Sequence, residues 1–205
     1  MDALETSHDK KVFALFMEMG CGKSKVAIDN FVHLYLEGNV NGVLIMAPKG
    51  VYDTWFSKEL PSHIPDQIEY HAVKWSNSTS QKNLKCLQTL FEEPERLNIL
   101  VMNVEALSTK KGTRFVTDFL FKRKCMFIVD ESTKYAHYKR ILTGSPVTKS
   151  PLDLYSQAYF LDPALLGFSS YFAFRSRYAN LVDRTASGRT FKQVLGYKNL
   201  TELNE

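Results

Sequence analysis

The stretch from Val12 to Ser24, reading Val-Phe-Ala-Leu-Phe-Met-Glu-Met-Gly-Cys-Gly-Lys-Ser, leaves a folding chain few choices. Val12 to Phe16 is an apolar run too short for a helix core, and it reads as a buried strand. Gly20 and Gly22 then let the backbone curl with its amides pointing inward. From Lys23 onward the spacing of Val26, Ala27, Phe31 and Leu34 is helical. A strand, a glycine turn carrying Gly-Lys-Ser and a helix together make an anion cradle, in which turn amides and the positive helix N-terminus hold a phosphate. The cradle runs through Gly20, Cys21, Gly22, Lys23, Ser24 and Lys25; Lys23 would reach terminal phosphates, and the Ser24 hydroxyl would ligate magnesium. The wider phosphate-loop pattern has a further glycine where this chain has Met17, so Gly-x-Gly-Lys-Ser is the intact part. The plainer alternative is a chance helix cap.

Downstream, apolar segments alternate with helical ones. Gly42 to Ala47 is a continuous apolar strand of the kind that a parallel sheet covered on both faces requires. Val51 to Leu60, with Trp55 and Phe56, reads as a short amphipathic helix stopped by Pro61. Glu69 to Val73 is a weaker strand, and the polar loop Ser76 to Ser80 leads to a helix near Gln81 to Phe91. Asn98 to Asn103 is another buried strand, Thr113 to Phe121 a helix, and Cys125 to Val129 a strand that runs into Asp130 and Glu131. Arg140 to Gly144 reads as one more strand end. This alternation predicts an α/β fold, a three-layer sandwich with a mainly parallel central sheet and right-handed crossovers. Leu152 to Leu161 is helical, and Phe168 to Tyr178 is dense in aromatics and arginines, which more often build a core than a base-stacking platform. Asn180 to Glu205 is polar and weakly patterned, with Gly188 and Gly196 as breaks.

In folds of this kind a ligand sits at the carboxyl ends of the strands. Asp130 and Glu131 are therefore expected at the rim that carries the cradle, Asp130 to hold magnesium and Glu131 to orient and deprotonate an attacking water. Thr143 and Ser145 would hydrogen-bond the acids or a phosphate across the same rim. Two solvated acids and an ordinary turn are the plainer alternatives. The 44% apolar and 13% aromatic content of 205 residues suffices for a real core. Three cysteines, an odd number without metal-ligand spacing, point to a reducing, cytoplasmic setting. No apolar run reaches membrane-spanning length, so no membrane partner is expected. The net charge of +4 is mild, and contact with a polyanion must be judged from where the basic residues sit.

Four segments, in order, carry a family resemblance. Met17-Glu-Met-Gly-Cys-Gly-Lys-Ser, Ile45-Met-Ala-Pro-Lys, Val129-Asp-Glu-Ser and Ile141-Leu-Thr-Gly-Ser-Pro resemble the ATP-binding, DNA-contact, acidic and coupling motifs of superfamily-two helicases. The likeness is closest to the Swi/Snf-type double-stranded DNA translocases, because Pro146 to Gln157 looks like that family's run after the coupling motif. Asn103-Val-Glu-Ala-Leu similarly resembles a DNA-side motif. Ser132 and Thr133 depart from the commoner Asp-Glu-Ala-His form.

The resemblance implies a RecA-like ATP-binding lobe over residues 1–165, with 166–205 as an extension leading toward a second RecA-like lobe. It implies ATP and Mg2+ as cofactors, with phosphate binding on Gly20, Gly22 and Lys23, the metal on Ser24 and Asp130, and water activation on Glu131. Coupling falls on Thr143, Gly144 and Ser145, while Lys49 and Asn103 lie on the side that meets the double-stranded DNA backbone. The implied function is a DNA-dependent ATPase lobe, poorly active without its partner lobe, which supplies an arginine finger contributing roughly 10³ to 10⁵ in rate. A P-loop phosphotransferase acting on a small molecule and a non-catalytic nucleotide-binding module are the alternatives.

Overall fold

A computed structural model describes residues 3–18, 20–78, 80–129, 138–144, 150–186 and 189–203. The chain divides into two compact units, Met1–Gly144 and Ser145–Glu205. The first opens with the short helix α1 (Ala3–Ser7), the strand β1 (Val12–Phe16) and the helix α2 (Lys23–Leu36). Then follow β2 (Gly42–Ala47), α3 (Tyr52–Thr54), α4 (Leu60–His63) and β3 (Tyr70–Lys74). The unit ends with α5 (Gln81–Gln88), β4 (Leu97–Asn103), α6 (Lys110–Lys122), β5 (Cys125–Val129) and β6 (Tyr138–Thr143). The six strands form one sheet in the order β1-β6-β5-β2-β4-β3, with every neighbouring pair parallel. This is the expected α/β fold, a parallel central sheet flanked by helices.

Side-chain alternation along the inner strands feeds two apolar layers. Val43, Ile45 and Ala47 of β2 join Ile99 and Val101 of β4 and Met126 and Ile128 of β5, and Ala27, Ile28 and Phe31 of α2 cover them with Trp55, Leu60 and Ile64. Leu44, Met46, Leu100, Met102 and Phe127 are buried at the alternate positions. On α6, Val116, Phe119 and Leu120 are buried in turn, and Phe119 packs edge-on against Phe91. Gly42 is forced by close approach: a Cβ there would lie 2.8 Å from both the Arg123 Cβ and the Cys125 sulfur.

Helix ends follow local chemistry. Ser80 caps α5 by accepting from the Asn83 amide, and Thr109 caps α6 by accepting from the Gly112 amide. At the end of α2, Gly38 is left-handed (φ 71). Its amide donates to Tyr35 O and that of Asn39 to Leu34 O, each at 2.9 Å, the paired bonds of a Schellman stop.

Three local expectations need correction. The first strand is not buried: β1 is outermost, pairs among the described residues with β6 alone, and buries only Leu15, while Val12 and Phe16 are 36% and 51% exposed. Pro61 does not stop its helix. The turn before it is widened to a π-helix over Trp55–Glu59, with the Leu60 amide donating to Trp55 O, and the proline sits within the first turn of α4. The wider turn relieves the i−4 clash that a proline ring makes in an α-helix.

The third correction concerns the polar tail. The second unit contains α7 (Asp153–Leu161) and α8 (Tyr171–Tyr178), and the weakly patterned stretch after Asn180 forms most of an antiparallel hairpin of β7 (Ala179–Ala186) and β8 (Arg189–Tyr197). Polar side chains bond across much of it: Lys192 Nζ donates to Asp183 at 3.0 Å, Arg184 Nε donates diagonally to Gln193 at 3.1 Å, and Thr185 and Thr190 lie 3.3 Å apart. A hairpin built from such pairs shows no apolar run in sequence. The aromatics of this unit do build a core, as expected: Leu152, Tyr155, Phe174, Tyr178 and Ala179 are buried together, with Tyr159 and Phe168 packed against them.

Candidate functional site

Because all six strands run the same way, their carboxyl ends share one rim. Register fixes which residues arrive there: Phe16 pairs with Thr143, Val129 with Ile141 and Ala47 with Asn103. The loop leaving β1 passes through Gly20 and Gly22, both left-handed at φ 81. A Cβ on either would meet nothing within 4 Å, so the need for glycine is conformational rather than steric. Gly22 is also the N-cap of α2 and, having no side chain, provides no side-chain cap. The first-turn amides of α2 are thereby left to an anion.

Lys23 opens that helix and folds back over the loop. Its ammonium donates to Met17 O at 2.8 Å and to Glu18 O at 2.7 Å, so the loop wraps around the charge. The Met17 amide in turn donates to Thr143 O at 3.2 Å, which ties the start of the loop to the end of β6. Thr143 is half-buried and Gly144 exposed at that spot. Ser24 is half-buried in the first turn, Cys21 is an exposed free thiol, and the Lys25 ammonium pairs with the Asp29 carboxylate one turn on. Left-handed glycines, an uncapped helix start and an amine on one short loop suit a phosphate group.

The strand β5, which leads to the two acids, ends at the same rim. Asp130 and Glu131 themselves lie outside the described residues, as does Ser145. Among the described residues there is no group of three or more His, Cys, Asp or Glu side chains able to hold a metal. The metal set expected from sequence rests on Ser24, which is described, and Asp130, which is not.

Further along the rim, Lys49 is exposed just past β2, and Asn103 ends β4. Glu105, which sequence reasoning did not single out, belongs with them. It accepts from Asn103 Nδ2 at 2.8 Å. Its own backbone amide bond, then the Asn103 bond and the nearby Lys49 charge, hold its carboxyl below the usual range. Its signal in sequence was its place two residues after Asn103 in the Asn-Val-Glu run. The structure thus brings Gly20, Gly22, Lys23, Thr143 and Gly144 together, and separately joins Lys49, Asn103 and Glu105 along the same edge.

The human DNA excision repair protein ERCC-6-like is 26% identical to this chain over 88% of the chain's length. That relative is a Swi/Snf-type, helicase-like protein. The chain resembles the Swi/Snf-type helicase-like proteins. The resemblance carried by the motifs is met again across most of the chain, although the chain spans only 15% of that relative's length. Among solved structures, the chain is similar to a nuclease-deletion mutant of the Type ISP restriction-modification enzyme LlaGI in complex with a DNA substrate mimic. The TM-score is 0.48 and the identity 11%, over 72% of this chain and 18% of that one. No family model matches the chain. Among the described residues, no helix of this chain is long and apolar enough to cross a membrane.

Proposed function

We propose that this chain is the ATP-binding lobe of a DNA-dependent ATPase that tracks along duplex DNA. The observation that carries the reading is the bond between the Met17 amide and Thr143 O. It sets the loop that encloses Lys23 directly against the strand end that the family resemblance assigns to coupling.

In this reading Gly20, Cys21 and Gly22 present loop amides to the phosphates, and Lys23 exchanges its two carbonyl partners for phosphate oxygens. Ser24 and Asp130 would hold the magnesium ion, which when bound neutralises charge on the phosphate oxygens. Glu131 orients a water and accepts its proton. Lys49 and Asn103 meet the DNA backbone, so the contact reads phosphates rather than bases and weakens with salt. Thr143, Gly144 and Ser145 pass the state of the cradle to the DNA side. A second RecA-like lobe completes the site with an arginine, a contribution of roughly 10³ to 10⁵ in rate.

ATP hydrolysis by the full-length protein, measured with and without duplex DNA, tests this against its alternatives. Stimulation by DNA that disappears in Lys23→Ala and in Glu131→Gln supports the motor. Phosphate transfer to a small acceptor with no DNA effect supports a phosphotransferase. Tight ATP binding with no turnover under either condition supports a non-catalytic module.

A further inference from the structure

Arg140 lies in the middle of β6 and is 0% exposed. Its guanidinium is packed where α1, α2 and β6 meet. Nε and Nη2 donate to Asn30 Oδ1 at 3.1 and 2.9 Å, and Nη2 also donates to Ser7 O at 2.7 Å. Nη1 donates to Lys139 O at 3.0 Å and reaches Lys11 O at 3.5 Å. All five N–H groups of the side chain are thereby directed at oxygens. Asn30 and Ser7 are themselves 0% exposed, and Asn30 Nδ2 donates to Ser7 Oγ at 3.0 Å and to Val26 O at 2.9 Å. Among the described residues no carboxylate forms an ion pair with Arg140.

Burial lowers the pKa of Arg140 to about 10, so the group is still a cation at neutral pH. A cation buried among neutral oxygens is a poor route to stability, since an apolar side chain of similar volume would fill the space at least as well. What it does supply is direction. Asn30 stands on α2, the helix that begins at Lys23, and Arg140 stands on β6, the strand that ends at Thr143. β6 is thus held at two places: at its end by the Met17 amide of the loop on Thr143 O, and along its length by the two-pronged grip of Arg140 on Asn30 of α2.

We infer that Arg140 and Asn30 are positioning residues that lock the cradle helix to the coupling strand, so that occupancy of the cradle is felt at Thr143 and Gly144. The inference rests on the motor reading and adds to it the element through which the cradle and the strand move together. The path is a contiguous set of directional bonds rather than an apolar contact that tolerates sliding.

The test uses the full-length protein and the variants Arg140→Lys, Asn30→Leu and Asn30→Asp. The lysine keeps the charge and loses the fork, the leucine removes the acceptor, and the aspartate retains acceptor oxygens facing the guanidinium. Three readouts are taken: affinity for ADP with magnesium, the ratio of ATPase rates with and without duplex DNA, and hydrogen exchange of residues 138–144 with and without ADP-magnesium. In Arg140→Lys and Asn30→Leu, nucleotide affinity is expected within about twofold of the parent. Their DNA stimulation falls about fivefold or more, the scale of a typical coupling free energy, and the nucleotide-dependent protection of 138–144 disappears. Asn30→Asp keeps both. Parent-level stimulation and protection in the lysine and leucine variants overturn the inference, as does a loss of nucleotide affinity in step with thermal stability. Should those variants fail to fold, the parent decides: no protection of 138–144 on adding ADP-magnesium overturns it. A parent protein without DNA-stimulated hydrolysis instead removes the motor reading itself.

Discussion

The deeply buried strands β2 and β4 and the thinly covered strands β1 and β6 belong to one sheet but are held by different physics. β2 is buried at every position and β4 at all but Asn103, and both are fixed by apolar packing on two faces. β1 buries only Leu15, and β6 buries only Arg140 and Ile141. Packing alone specifies register weakly in so thin a layer, because several offsets bury similar area. Hydrogen bonds that accept only one geometry take over, with Arg140 at the back and the Met17 amide at the front.

That contrast can be broken by measurement. Ile45→Ala, in the inner layer, should lower the unfolding free energy by about 2–5 kcal/mol in urea titration. A loss near zero would mean that the inner strands are not the scaffold. Lys23→Ala should reduce ATP turnover by about 100-fold or more, the scale of deleting one pre-organised donor. Its melting temperature should stay close to the parent's, and a large drop would show the loop to be structural.

Smaller effects sharpen the picture. Gly22→Ala places a side chain at φ 81 and should cost about 1–2 kcal/mol in stability, although nothing lies within 4 Å of the new methyl. A neutral outcome would mean that the loop relaxes out of the left-handed form. Lys49→Ala should lower the salt slope of DNA binding by about one unit while leaving ATP affinity alone. Val12→Ala, on the exposed edge, should change stability by no more than about 0.5 kcal/mol in the same urea titration used for Ile45. Equal losses at Ile45 and Val12 would erase the distinction between inner and outer strands.

The parts of the fold that sequence made legible are those where one force dominates. β2 and α2 fall where apolar continuity and helical spacing placed them, with matching ends at Gly42–Ala47 and Lys23–Leu36. The turn through Gly20 and Gly22 was legible because left-handed positions favour glycine and this loop has two. What escaped was set by tertiary context. An apolar run such as Val12 to Phe16 looks the same at the edge of a sheet as at its centre. Pro61 looks like a stop in sequence because the π-turn that ends at Glu59 has no sequence mark. The hairpin was hidden in charged cross-strand pairs, and the burial of Arg140 in the midst of an ordinary-looking strand. The sequence mark of that burial is Asn30, a polar residue between Ala27 and Leu34 on the buried stripe of α2. Asp130 and Glu131 were legible only as the acids after an apolar strand, and they lie outside the described residues.

The grip of Lys23 on its own loop has a thermodynamic corollary. Two of the three ammonium protons are already committed to Met17 O and Glu18 O. An incoming ligand therefore wins by exchange, not by filling a vacancy. In the proposed reading, a polyphosphate would repay the release of both carbonyls by engaging the amine and the helix amides in a single event.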